Sequence, residues 1–222
     1  MLSELERDAL AELGNIGIGK ASTALGRMLG GLVTLSVPSV EMVPPADVAA
    51  LLDRALLGSA ASTRTPPATL VGISERLGGG LFAGCALLVV PQDGSLALVR
   101  AALPADVPAE DVPALEDEVL AELGNVVLNS ALAQVANLLG GVIDTGLPAL
   151  HRGTAAAILR SAGDAPAAMG DAAGAAAVLF HVDLRVEADG GTVRGRVVLL
   201  LDAESAGALQ AALGRYIGRV VA

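Results

Sequence analysis

Apolar residues recur at helical spacing through the opening segment. Leu5, Ala9, Leu13, Ile16, Ala24 and Met28 lie on or near one stripe, which predicts a long helix from Ser3 to Leu29. The pattern then switches to a Val-rich alternation over Leu32 to Val43, a strand that Pro44-Pro45 ends. A short amphipathic helix is expected over Asp47 to Leu57, followed by a flexible connection from Gly58 to Pro67. Two strands, Ala68 to Leu77 and Leu81 to Val90, flank Gly78-Gly79-Gly80, a hairpin signal. A helix from Ser95 to Leu103 closes this half.

The Pro-bearing stretch Leu103 to Pro113 marks an internal boundary, after which the same order returns. The second half reads as a long helix Ala114 to Leu139, a strand Val142 to Leu147 and a short helix Leu150 to Ser161. A loose Ala/Gly segment, Gly163 to Gly174, precedes strands Ala177 to Glu187 and Thr192 to Leu201 around Asp189-Gly190-Gly191. A helix from Ser205 to Ile217 ends the pattern. The expected fold class is therefore α/β in the α+β sense, with duplicated α-β-α-β-β-α units related by pseudo-twofold symmetry. Two such hairpins are best stabilised in one mainly antiparallel sheet with long helices covering a face. Either half alone would expose much of its apolar surface, so residues 1–222 are expected to form a single domain of two repeats, about 1–107 and 108–222.

Polar residues repeat along with the apolar ones. Asp8, Glu12, Asn15 and Pro38 return as Glu118, Glu122, Asn125 and Pro148, each 110 positions on. Both copies read acid-x3-Glu-x2-Asn-x22-Pro. Leu13-Gly14 returns as Leu123-Gly124, and Leu29-Gly30-Gly31 as Leu139-Gly140-Gly141. Positions i, i+4 and i+7 occupy a narrow sector of a helix, so each acid-Glu-Asn set projects from one side at the border of the apolar stripe, and both carboxamides are expected to be exposed. Gly14 and Gly124, each just before its Asn, would let a backbone or a partner come close.

Composition narrows the classes. Mean hydropathy is +0.63, yet no run of 18 or more apolar residues escapes charge or turn residues, so no membrane insertion is expected. Glu4, Glu6, Arg7 and Asp8 give the N-terminus the wrong character for a secretory signal, and Cys85 is alone, so the expected location is the cytoplasm. A net charge of −10 with only one Tyr, two Phe and no Trp argues against nucleic acid as a partner.

A carboxamide presents two donors and an acceptor in one plane. It can hold and aim a water but cannot take its proton at neutral pH. That suits hydrolysis of an already reactive bond such as an acyl phosphate, where positioning is the missing ingredient. The neighbouring Glu would hold a basic group on a substrate protein. On a single helix the pattern is equally compatible with surface decoration, and duplication preserves similarity by descent.

At these residues the chain resembles the CheC-type chemotaxis phosphatases, a family that includes CheX and FliY. Its hallmark, Asp/Ser-x3-Glu-x2-Asn-x22-Pro, fits the first copy at every position; in the second, Glu118 stands where Asp or Ser is usual. The resemblance covers both halves. It implies hydrolysis of the aspartyl phosphate on the response regulator CheY, with Asn15 and Asn125 orienting the attacking water. It further implies that Glu12 and Glu122 engage a lysine of the regulator, that Asp8 and Glu118 join the docking surface, and that Pro38 and Pro148 are structural. Mg²⁺ would be carried by the regulator, so the chain needs no cofactor or metal of its own. The receptor deamidase CheD is a second partner that the family implies, bound through the helix after the second proline, where this chain reads His151-Arg152-Gly153-Thr154. The flagellar-switch domain that FliY adds is not expected before Ala222. The internal pseudo-symmetry suggests a monomer. The alternative is a non-enzymatic adaptor that binds the phosphorylated regulator or CheD.

Other motifs are decoys. Gly14-x4-Gly19-Lys20 imitates a P-loop but is followed by Ala21 and preceded by no strand. His151 and His181 are too few for a histidine metal site and are expected at solvated or core-edge positions. No histidine is placed to complete a triad with Ser22, Thr23 or Ser130. Cys85 is expected to be a buried small hydrophobe.

Overall fold

A computed structural model describes residues 2–28, 33–58, 69–104, 106–162, 175–186 and 191–220. The first repeat comprises α1 (Glu4–Met28), β1 (Val33–Val43), a 3₁₀ turn (Pro45–Asp47), α2 (Val48–Leu57), β2 (Leu70–Gly80), β3 (Gly84–Pro91) and α3 (Gln92–Ala102). The second comprises α4 (Val112–Leu139), β4 (Ile143–Thr145), β5 (Ala149–Gly153), α5 (Ala155–Ala162), β6 (Ala176–Val186), β7 (Gly191–Leu201) and α6 (Ala203–Val220). The expected flexible connections, the second hairpin turn and the Leu29-Gly30-Gly31 motif fall wholly or largely outside the described residues.

All strands join one antiparallel sheet in the order β1-β6-β7-β3-β2-β4, with β5 also pairing β2. The two hairpins meet at β7–β3, so the sheet is pseudo-symmetric about that pair and each repeat's remaining strand segments pair with the other repeat's hairpin. β1 lies against β6, and β4 and β5 lie against β2. Each end of the sheet therefore joins strands from both halves of the chain.

Alternation along the strands gives the sheet two apolar faces. Val71, Ile73 and Leu77 of β2 face α1 and α4, with α3 and α6 contributing Leu98, Val99, Leu209 and Leu213 to the same core. Leu70, Leu87, Leu179 and Val198 face the other way, where Val48 and Leu52 of α2 and Ile158 of α5 cover them. Helices therefore cover both faces, not one.

One segment departs from the sequence reading. Leu150 to Gly153, expected within a short helix, is strand, and α5 starts after Thr154, whose hydroxyl accepts the Ala157 N–H at 3.3 Å. The edge of β2 supplies the reason. β5 pairs Leu70–Ser74 with Ala149–Gly153, and Ser74 Oγ meets His151 Nε2 at 2.8 Å.

The long helices have local and packing causes. Ser3 and Glu6 cap α1 reciprocally, Ser3 N–H donating to Glu6 Oε2 at 2.8 Å and Glu6 N–H to Ser3 Oγ at 3.2 Å. The Ser3 N–H and the Ser3 hydroxyl, both donating to Glu6 Oε2, hold that carboxyl below its ordinary pKa. α4 ends at Gly140, whose φ of 84° is the left-handed conformation typical of glycine after a helix. By length and composition α4 could cross a membrane, but Leu120, Leu123, Val127, Leu128, Leu132 and Val135 are spent in the core against the sheet and α1. The two helices touch at Gly17, where an added Cβ would stand 2.9 Å from the Ala131 carbonyl oxygen.

Candidate functional site

Asp8, Glu12 and Asn15 share one side of α1, and Glu118, Glu122 and Asn125 share one side of α4. The four acids are exposed, while Asn15 and Asn125 are half-buried, not exposed as expected. Gly14 and Gly124 explain the recession. A Cβ on Gly14 would stand 3.0 Å from the Phe180 ring, and one on Gly124 would stand 2.5 Å from Ile73 Cγ2. The close approach is therefore to the sheet and not to a partner, and it seats each Asn at the helix–sheet seam. The Gly14–Gly19 stretch is continuous helix, with no loop to cradle a phosphate.

The spacing from Asn to Pro has a physical meaning in the first repeat. β1 is an edge strand, and its pairing with β6 slips between Ser36 and Ser39, so that Val37 and Pro38 together oppose one residue of β6. Asn15 binds the residue before the proline in both directions. Its Oδ1 accepts the Val37 N–H at 2.8 Å and its Nδ2 donates to the Val37 carbonyl at 3.1 Å. Ser22 Oγ, two turns on, accepts the Leu35 N–H at 3.0 Å. Side chains of α1 thus satisfy backbone groups that an edge strand would otherwise leave open.

The second repeat shares the slip but not the clamp. Thr145 faces Leu77 and Ala149 faces Ser74, so Gly146, Leu147 and Pro148 span the two residues Glu75 and Arg76. Val37 is 2% exposed, yet its counterpart Leu147 is 91% exposed. Asn125 is tied to its own helix: Asn129 Nδ2 donates to Asn125 Oδ1. Thr145 Oγ1 donates to Asn129 Oδ1 at 2.6 Å, and Glu75 Oε1 lies 3.5 Å from Asn129 Nδ2. Glu75 is 0% exposed, its Oε2 has no hydrogen-bond partner, and burial pushes its pKa up to about 7. Sequence reasoning passed over Glu75 and Thr145. The available signals were an acid at an apolar position of a strand, and Asn129 standing where the first repeat has Gly19.

The first site lies beside the β1 edge of the sheet and the second beside the β4 edge. Neither Glu12 nor Glu122 has an ion-pair partner among the described residues. Upstream of Glu122, Arg152 of β5 pairs with Glu116 at 3.0 Å and Asp117 at 2.6 Å, which leaves Glu118 and Glu122 to face solvent. No cluster of three or more His, Cys, Asp or Glu able to hold a metal occurs among the described residues. His151 and His181 take core-edge positions, bonded to Ser74 and Glu41, and burial lowers the pKa of both. Cys85 is buried, and burial raises its pKa to about 11.

Residues 5–42 match the model of the CheC-like family. The flagellar motor switch phosphatase FliY of Bacillus subtilis (strain 168) is 29% identical over 150 residues, which is 66% of this chain and 35% of that protein. The chain thus spans about a third of the length of this curated relative. Among solved structures, FliY of Thermotoga maritima aligns with a TM-score of 0.72 at 18% identity, covering 97% of this chain and 99% of that one. The middle domain of FliM from Vibrio alginolyticus aligns at 0.56 and 13% identity, covering 91% and 99%. Both have this fold. Over residues 5–42 the chain is thus similar to the CheC-like family, and its fold is that of the Thermotoga maritima FliY structure.

Proposed function

We propose that the chain is a protein phosphatase that hydrolyses the aspartyl phosphate of a response regulator of the CheY kind. The observation that carries this reading is the pair of carboxamides, each set at a helix–sheet seam one turn from an exposed, unpaired Glu. Glu12 and Glu122 attract a lysine of the regulator, with Asp8 and Glu118 extending the acidic face. Asn15 and Asn125 reach the phosphorylated carboxylate and fix the attacking water. Mg²⁺ comes with the regulator, where it neutralises the phosphoryl oxygens, and this chain adds no ligand to it. Catalysis is then positioning: the acyl phosphate supplies the reactivity, and the carboxamide supplies orientation.

The test is phosphate release from phosphorylated CheY with Mg²⁺ and purified chain. Acceleration that disappears in the Asn15→Ala, Asn125→Ala double variant is the expected result. Unchanged release by the double variant rejects the reading. A second reading, a non-enzymatic adaptor, draws on the FliM middle domains, which share the fold and one of which was crystallised in a complex with FliG. Saturable binding of the regulator without faster phosphate release would favour it. CheD remains a proposed second partner, to be sought at the β5–α5 segment His151–Thr154.

A further inference from the structure

We propose that Asn129, held in turn by Thr145 and Glu75, is a positioning residue that sets the Asn125 carboxamide; the inference rests on the water-orienting reading of Asn125. Asn129 lies one turn after Asn125 on α4 and donates to its Oδ1. The Asn129 carboxamide is itself fixed at both ends. Its oxygen accepts the Thr145 hydroxyl at 2.6 Å, and its nitrogen faces Glu75 Oε1 at 3.5 Å. Rotating Asn129 by half a turn would set its oxygen against two other oxygens and turn its NH₂ towards the Thr145 hydroxyl. The polarity of Asn125 follows: its oxygen is held inward, and among the described residues its NH₂ has no partner and is left for an acceptor such as water or a phosphoryl oxygen.

The first repeat lacks every member of this chain. The strand registers set Leu35 against Leu184 as Thr145 against Leu77, and Ser39 against His181 as Ala149 against Ser74. Leu35 and Val182 therefore replace Thr145 and Glu75, and Gly19 replaces Asn129. Both replacements in the sheet are buried and apolar. A carboxylate with one oxygen unsatisfied at 0% exposure is costly compared with a valine there. The packing alone would be better served by the residues of the first repeat. The polar chain ends on the one side chain of α4 whose orientation the chemistry needs.

The experiment uses the full chain carrying Glu12→Lys, which closes the first site to docking and leaves the Asn15–Val37 clamp in place. In this background Asn129→Leu is expected to lower kcat for phosphate release from phosphorylated CheY about tenfold, with KM for the regulator unchanged. Thr145→Val should act the same way, and Thr145→Ser should restore the rate. Asn129→Leu at background kcat, while Glu12→Lys with Asn125→Ala is inactive, overturns the inference alone. So does an equal loss in Thr145→Val and Thr145→Ser, or a loss carried by KM. Release that persists when Asn15→Ala is added to Glu12→Lys with Asn125→Ala rejects the water-orienting reading itself.

Discussion

The two repeats carry one motif but hold its asparagine in different ways. In the first, Asn15 spends an acceptor and a donor on the backbone of Val37 and so closes the edge of β1. In the second, Asn125 makes no such bond; Asn129 orients it, and Leu147 stands out in solvent. A motif conserved between halves of a chain can thus carry unequal shares of structure and chemistry. Asn15 has both polar ends bonded to backbone, whereas the Asn125 NH₂ has no partner among the described residues.

The double variant Asn15→Ala, Asn125→Ala should show the largest effect, a fall of roughly 100-fold or more in phosphate release. The single variants sharpen the comparison. Asn125→Ala should lose more activity than stability. Asn15→Ala should lose about 2 kcal/mol of stability, read from chemical denaturation, because it strands the N–H and C=O of buried Val37. Equal stability losses would mean that the clamp has no energetic weight.

Titration separates the repeats next. Glu75 titrates near 7 in the folded chain against an ordinary 4.5, because burial disfavours its charge. Between these values the folded state binds the extra proton, so stability should fall as pH rises through the window, by on the order of 3 kcal/mol in all. Glu75→Val, which installs the residue of the first repeat, should flatten that fall and stabilise the chain at pH 8. An unchanged pH profile of the denaturation midpoint would show that Glu75 is not the group responsible. Packing gives a smaller contrast. Gly124→Ala forces a Cβ to 2.5 Å from Ile73, whereas Gly14→Ala meets Phe180 at 3.0 Å. The former should destabilise by about 1–3 kcal/mol and the latter by less. Smallest in stability is Glu122→Lys, expected within about 0.5 kcal/mol of the parent but weaker in binding the regulator, as measured by titration calorimetry.

Much of the fold was legible before any coordinates. The apolar periodicity located α1 and α4 to within two residues at each end. β5 was not legible. Leu150 to Ser161 reads as one short helix, and only the unpaired edge of β2 draws its first residues into a strand. The candidate site was half legible. Spacing placed Glu12 with Asn15 and Glu122 with Asn125, because a helix fixes neighbours one turn apart.

By itself the sequence determined that two helices carry the same acid and carboxamide, since local periodicity is written in the chain. Tertiary structure alone decided how far each carboxamide recedes and what grips it. Val37 lies 22 positions from Asn15, and Glu75 lies 54 positions from Asn129. Contacts of that range depend on which strand takes the sheet edge and where its register slips. No spacing within a single helix encodes either.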